Sequence, residues 1–183
     1  MRRLGCLSAL FSLVLYAAVI AVLAWFGVQA YQHALDYKAM AERNDAVASA
    51  WADPAALAKA ATGDGGVMPP GLSAQPFQQV GARATTRYAG TSASTSLTLS
   101  TTRMACEPAS YTVNVVETPV LVQVLVHVDK PWLPPVGQWW QDFRAPTACV
   151  NAAKPTTLTA SLASELGRRI VVDSVTGASV KGP

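Results

Sequence analysis

The chain has 183 residues, which is enough for one domain of ordinary size together with a short additional segment. Charged residues make up 14% of the sequence, and the formal net charge is only +3. Because lysine and arginine do not cluster beyond isolated pairs, the composition excludes the basic surface of a nucleic-acid-binding protein.

The first predicted element is a transmembrane helix. Residues 4–28 contain no charged side chain, and 25 residues at about 1.5 Å each exceed the roughly 30 Å hydrocarbon core of a bilayer. Backbone groups in lipid must pair within their own segment, so this run is expected to be helical. Arg2 and Arg3 form a short basic tail, residues 1–3, whereas Asp36 is the first acidic residue beyond the run. The positive-inside rule therefore predicts a cytoplasmic N-terminus and an extracytoplasmic C-terminal region, periplasmic or extracellular.

Two alternatives for this segment remain open. Val28-Gln29-Ala30 resembles a signal-peptidase site, but an uncharged run of 25 residues is longer than the usual signal core of 7–15 residues. Cys6 lies at the start of the apolar run, whereas the acylated cysteine of a lipoprotein would follow it. The sequence therefore favours a retained anchor over a cleaved signal or a lipid-modified N-terminus.

Helical sequence continues beyond the predicted membrane segment. Residues 31–51 contain no glycine or proline and are rich in strong helix formers, which predicts a stalk helix. Asp53 and Pro54 then have the order of an N-cap and a first-turn proline, so a short second helix should follow and end before Gly63. The sequence thus assigns residues 29–62 to stalk helices and the Gly- and Pro-rich residues 63–77 to a linker.

The remaining residues, 78–183, have the pattern of a small β-rich domain. The clearest strand is 120–128, in which valine occupies every even position while the odd positions are mixed. Further alternating runs lie at 78–104, 110–116, 156–164 and 169–180. Helices followed by about five strands predict an α+β fold with an antiparallel sheet and the valine face on the core.

Two features of this region are candidate sites. Cys106 and Cys149 are its only cysteines, and in an oxidising compartment such a pair is expected to form a disulfide that closes a loop of 44 residues. Between them lies a Pro-rich segment with four aromatic residues, which we interpret either as a loop that binds a partner or dips into the membrane, or as a cover over the sheet. These aromatic residues are Trp132, Trp139, Trp140 and Phe143.

No catalytic, cofactor-binding or metal-binding motif is present in the sequence. The nucleophile elbow, the phosphate loop and the zinc-protease signature are all absent, so no cofactor is expected. The predicted function is therefore a non-enzymatic subunit of a cell-envelope assembly that binds the bilayer and other envelope proteins, but no nucleic acid. The alternative is an anchored enzyme or ligand-binding domain whose site is formed by distant residues, with Glu117, His127 and Asp129 as the first residues to test.

The order of elements resembles that of the tight-adherence (TadE-like) minor-pilin-like proteins. The resemblance consists of a short basic start, an apolar helix that continues into a stalk, the strand VLVQVLVHV at 120–128 and the closing segment LTASLASELGR at 158–168. It implies a role in a pilus or secretion assembly. Members of that family carry a glutamate near the start of the apolar segment, whereas this chain has no acidic residue before Asp36, and the resemblance transfers no functional residue.

Overall fold

A computed structural model describes residues 3–62, 65–72, 82–103, 110–128 and 153–183. It divides into two units, residues 1–40 and 41–183, and the boundary lies within the first helix. That helix, α1, spans Arg3–Ala50 without interruption. The prediction of a long apolar helix at the N-terminus is confirmed.

The second helix, α2, spans Pro54–Ala60. Its start follows the predicted capping pattern, because the Asp53 side chain accepts a hydrogen bond from the amide of Ala55 at 3.0 Å and proline occupies the first turn. The structure thus confirms this helix start.

The described residues contain seven strands, where about five were expected: β1 (Ala82–Arg83), β2 (Thr85–Ala89), β3 (Ser96–Arg103), β4 (Tyr111–Glu117), β5 (Leu121–Val128), β6 (Lys154–Ser161) and β7 (Ile170–Asp173). They form two sheets rather than one. A four-stranded sheet, sheet A, has the order β1-β5-β4 with β7 also paired to β5, and a three-stranded sheet, sheet B, has the order β2-β3-β6. The domain is rich in antiparallel pairs, as predicted.

One strand pair departs from the predicted antiparallel arrangement. β7 lies parallel to β5, with Val122 opposite Val171 and Val124 opposite Asp173. The parallel pairing is possible because a long stretch of chain, which includes β6, separates the two strands. Alternation within a strand shows which residues share a face but does not show the direction of the neighbouring strand, so the sequence could not reveal this pair.

The main core lies between the two sheets. Alternate residues of β5, including Val122, Val124 and Val126, form one side of a cluster with Leu97 and Leu99 of β3. The prediction that the all-valine face of 120–128 belongs to the core is confirmed for Val122, Val124 and Val126, whereas Val120 precedes β5 and is 49% exposed. The opposite face of β5 is also buried, because Leu121 and its neighbour Val172 of β7 pack in a second cluster with residues from the helices, among them Val47 and Trp51.

This second cluster changes the expected role of residues 41–62. The sequence places them in a stalk, but the structure groups them with the β-domain, and Val47 and Trp51 are fully buried there. The part of the predicted linker that the structure describes, residues 65–72, is likewise attached to the domain. Val67 is buried, and its carbonyl accepts a hydrogen bond from the amide of Ser179 at 2.8 Å.

Candidate functional site

The most extensive candidate surface is the apolar part of α1. An 18-residue window of this helix has a mean hydropathy of 2.3, and none of it is buried, so its length and composition allow it to cross a membrane. A signal sequence near the N-terminus shares these properties. Large apolar side chains are exposed on every side of the helix, because they follow one another too closely in sequence to share one face. They are Phe11, Leu13, Val14, Leu15, Tyr16, Val19, Ile20, Val22, Leu23, Trp25, Phe26 and Val28.

This distribution differs from that of a helix in a water-soluble domain. Such a helix buries one apolar stripe and exposes a polar face, whereas a helix that is apolar all round belongs in a protein core or a membrane. Leu15 is 56% exposed and Ile20 is 65% exposed, so no core covers them within the described residues. The surface is therefore suited to a lipid or protein environment.

In the second unit, the end of α1 is held by a tight turn that follows β7. The indole Nε1 of Trp51 donates to the carbonyl oxygen of Gly177 at 2.9 Å, and Arg43 donates through Nε to the Ser174 carbonyl at 2.7 Å. Arg43 also donates through Nη2 to the carbonyl of Val175 at 3.1 Å. The side chains of the helix thus satisfy three carbonyl groups of this turn.

The last residue of β7, which leads into this turn, carries the most deeply buried carboxyl group of the described residues. Asp173 is 1% exposed, and its oxygens accept hydrogen bonds from the amide of Thr85 at 3.1 Å and from the amide and hydroxyl of Thr176 at 2.8 and 2.7 Å. Burial raises the pKa of Asp173, and these hydrogen bonds partly oppose that effect. Since the donors connect β2 to the turn, the arrangement acts as a structural link between the two sheets.

A second network joins β4 to the loop between β6 and β7. Glu117 accepts a hydrogen bond from the amide of Ala163 at 2.6 Å and forms an ion pair with Arg169. The Ala163 amide, together with the Arg169 guanidinium, lowers the pKa of Glu117. Arg169 also donates to the backbone carbonyls of Ser164, Glu165 and Leu166. Both charged groups are therefore engaged in fixing the loop.

Two clefts border this loop and share residues 166–169. One, of about 530 Å³, lies beside Glu117 and the turn that follows β4. The other, of about 560 Å³, is bounded by the end of α2, the β2–β3 turn and the last residues of the chain. Its lining includes the Tyr88 ring, the Thr91 and Ser92 segment and the exposed Arg168. Both volumes fall within the usual range for small-molecule sites.

The structure does not bring together the two described residues of the alternative site. His127 lies opposite Thr112 of β4, whereas Glu117 lies at the other end of the same strand. Five residues of strand span about 17 Å, so a direct hydrogen bond between them is excluded. Asp129 lies outside the described residues. Within the described ranges, no group of three or more histidine, cysteine, aspartate or glutamate residues could hold a metal ion.

The remaining sequence-predicted site residues also lie outside the described residues. This applies to the cysteine pair, Cys106 and Cys149, and to the aromatic cluster formed by Trp132, Trp139, Trp140 and Phe143. The predicted disulfide and the partner-binding loop therefore stay predictions.

Sequence reasoning did not predict the burial of the Gln123 side chain. Gln123 is 1% exposed in the middle of β5, and neither atom of its amide has a hydrogen-bond partner among the described residues. It lies on the face of sheet A that carries Leu121 and packs under the helices. The alternation in 120–128 predicts that Gln123 lies on the face opposite the valines. It does not predict that this face is buried, because the burial depends on the helices that pack on it.

Comparisons of the chain with protein-family models, with curated proteins and with solved structures gave no match.

Proposed function

We propose that the protein is a single-pass, membrane-anchored structural or assembly subunit of a cell-envelope complex. The observation that carries this proposal is the apolar surface of α1, which covers all sides of residues 11–28 and is not buried. In water, each fully exposed Leu, Ile or Phe side chain forgoes about 1.5–3 kcal/mol relative to burial. A bilayer removes that cost, and the uninterrupted helix satisfies its own backbone groups there.

The proposed orientation places the N-terminus in the cytoplasm and residues 41–183 outside it. Arg2 and Arg3 precede the apolar segment, and the positive-inside rule favours the basic end on the cytoplasmic side. The proposal includes a disulfide between Cys106 and Cys149, because the outer compartment would be oxidising.

The proposed role is non-enzymatic. Its support is that the described carboxyl groups whose pKa departs from the ordinary value, Asp173 and Glu117, are both held by backbone amides, and that Glu117 is also held by an arginine that fixes the neighbouring loop. Glu117 borders the cleft of about 530 Å³, but its carboxylate already accepts hydrogen bonds from the Ala163 amide and from Arg169. The proposed partners are other envelope proteins, contacted through the Trp132–Phe143 segment, as in the pilus or secretion assemblies that the TadE-like resemblance implies.

The anchor is tested by alkaline carbonate extraction of membranes from cells that express the full chain. The wild-type protein should remain in the membrane pellet. Leu15→Arg should move a large fraction to the supernatant, because an arginine near the centre of a membrane helix costs about 2.5–3.5 kcal/mol. Tyr37→Arg is the matched control, since Tyr37 is 65% exposed on the same helix but lies beyond the predicted span. A wild-type chain that is extracted as easily as Leu15→Arg would refute the anchor.

Orientation and partner binding need separate experiments. If the C-terminal domain is extracytoplasmic, as proposed, protease added to intact spheroplasts should degrade it. A domain that stays intact under these conditions would be cytoplasmic, which would contradict the proposed orientation. Trp139→Ala and Trp140→Ala should each reduce the co-purification of envelope proteins from gently solubilised membranes without changing the thermal unfolding of the domain. Unchanged co-purification with both variants would argue against the aromatic segment as the partner-binding site.

The cleft of about 560 Å³ favours a second candidate, an anchored ligand-binding domain. Arg168 is the exposed charged side chain at its rim, so native mass spectrometry of the purified chain should show a bound small molecule that Arg168→Ala weakens. If native mass spectrometry shows only the unliganded chain while envelope proteins still co-purify with it, the result would favour the assembly role.

A further inference from the structure

The outer edge of sheet B has properties that suit pairing with another strand. β6, Lys154–Ser161, is hydrogen-bonded to β3 along its full length, from Ser161 opposite Ser96 to Lys154 opposite Arg103. It is the last strand of its sheet, and within the described residues no strand pairs with its other side. An edge strand presents a row of backbone donors and acceptors that can pair with a further strand.

The two edges of this sheet are treated differently. At the opposite edge, β2 carries Arg87, its register with β3 shifts between Thr85 and Arg87, and the C-terminal segment bridges to it through Lys181. The amide of Tyr88 donates to the carbonyl of Lys181 at 3.1 Å. Charge, irregular register and a covering segment are the usual devices that protect an edge from pairing, and β2 has all of them.

Among the described residues, β6 has such protection only at its beginning. Lys154 and Pro155 start the strand, but residues 156–161 contain no charged residue, proline or glycine. The register with β3 is continuous, without a bulge. This part of the edge is therefore regular and uncharged, which is the form that accepts an added strand.

The side chains of β6 also leave room for an added strand. Thr157, Thr159 and Ser161 are exposed on the outer face, where they continue a row of hydroxyl groups from β3. Leu158 points to the other face and is only half-buried against the core between the sheets. A strand laid along this edge would extend both faces and cover more of Leu158.

We propose that β6 pairs in antiparallel fashion with β6 of a second copy of this chain, which joins two copies of sheet B into one continuous sheet. A two-fold axis makes the contact self-complementary. It places the two Lys154 residues at opposite ends of the pair, so their like charges stay apart. On the outer face, the threonine and serine side chains of one copy lie opposite those of the other copy. The inference deepens the proposed assembly role and rests on it.

The interface would be weak in dilute solution. A single pair of eight-residue strands is smaller than the roughly 800 Å² per partner of a standard stable interface. Two chains anchored in one membrane are held at a much higher effective concentration, which favours such weak pairing. The dimer is therefore expected in membranes and is expected to dissociate on dilution in detergent.

Cysteine cross-linking of the full chain in native membranes tests the pairing. Thr157→Cys, Thr159→Cys and Ser161→Cys are each made in a Cys6→Ser parent, and the membranes are treated with a short bis-maleimide. Around a two-fold axis, equivalent residues separate by about 7 Å for each step along the strand. The yield of cross-linked dimer should therefore have one maximum along β6 and decline away from it.

The matched control is Thr98→Cys, which is exposed on the same face but lies on the central strand β3. It should give no more dimer than the parent. Thr159→Lys should abolish the cross-link of Thr157→Cys by placing like charges in the pair, whereas Thr98→Lys should leave it unchanged. Circular dichroism confirms that each variant is folded.

Three results would overturn the pairing: equal yields at Thr98 and along β6, an undiminished cross-link in Thr159→Lys, or adducts of β6 with a different protein in place of the dimer. The experiment scores only links between copies of this chain. A negative cross-linking result would refute the dimer but would not change the co-purification of other envelope proteins. A loss of co-purification would refute partner binding but would not change the cross-linking result.

Discussion

The indole of Trp51, one residue beyond α1, donates a hydrogen bond of 2.9 Å to the carbonyl oxygen of Gly177, which lies in the turn after β7. The two residues are 126 positions apart, and Trp51 is completely buried. Within residues 41–183, this contact joins the C-terminal end of the long helix to the turn that follows β7.

Replacement of this indole should destabilise the domain. Trp51→Phe keeps an aromatic ring but leaves the Gly177 carbonyl without its donor, and an unsatisfied buried group costs about 1–3 kcal/mol. Trp51→Ala adds a cavity and should cost about 3–5 kcal/mol. Urea unfolding of the full chain in mild detergent, followed by circular dichroism, measures both changes. Trp25→Phe is the control, because Trp25 is 49% exposed on α1 and its replacement should change the unfolding free energy by less than about 0.5 kcal/mol.

Gly177 should tolerate no side chain. Its φ of +79° favours glycine, and a Cβ there would lie 1.9 Å from Cδ2 of Leu72. Gly177→Ala should therefore cost more than the roughly 1–3 kcal/mol of an unfavourable φ alone. Gly71→Ala separates the two effects, since Gly71 has a φ of +83° but open space at the Cβ position. Thermal unfolding of both variants is the measurement, and an equal loss of stability would show that Leu72 moves aside without cost.

The stability of the domain in acid should depend on Glu117. The hydrogen bond from the Ala163 amide, together with Arg169, holds the pKa of Glu117 below its ordinary value of 4.5. In the unfolded chain, the Glu117 carboxylate binds a proton at a higher pH than it does in the folded chain. The ionised carboxylate therefore stabilises the fold above about pH 4.5, and this stabilisation is lost as the pH falls through the lower pKa of the folded state. Glu117→Gln should therefore lower stability at pH 7 and reduce its decline between pH 5 and pH 3.

Asp173 also contributes to the pH dependence of stability, in the wild type and in Glu117→Gln alike. Burial raises the pKa of Asp173, so its contribution has the opposite sign and declines as the pH rises from its ordinary value of 3.8. Only the difference between the wild-type and variant curves isolates Glu117. Glu165→Gln, at an exposed position of the same loop, is the control, and a Glu117→Gln curve parallel to the wild-type curve would rule out the linkage.

The predicted disulfide has a direct chemical test. If Cys106 and Cys149 are linked, mass spectrometry after alkylation without reductant should show both residues unmodified, and reduction should add one label to each. The chain-entropy relation gives about 4 kcal/mol of stabilisation for a closed loop of 44 residues. Cys106→Ser and Cys149→Ser should therefore destabilise the domain by the same amount, and the double variant by no more than either alone. Labelling of both cysteines without reductant would show that they are free thiols.

Local patterns in the sequence determined several parts of this protein. The uncharged run at 4–28 is apolar on all sides, as a helix that crosses a membrane would be. The order Asp53-Pro54 is that of a helix start, and the alternating valines from Val122 onward define a core-facing strand surface. Each depends on neighbours within a few residues, so no knowledge of the distant chain was needed.

Tertiary structure alone decided how these elements combine. The parallel pairing of β5 with β7, the division of the strands into two sheets and the docking of Trp51 on the Gly177 turn all join residues far apart in sequence. The burial of Gln123, the engagement of Glu117 by Arg169 and the position of β6 as the last described strand of sheet B follow from that arrangement. Such contacts depend on which surfaces meet in three dimensions, and a periodic pattern records only which face of an element is apolar.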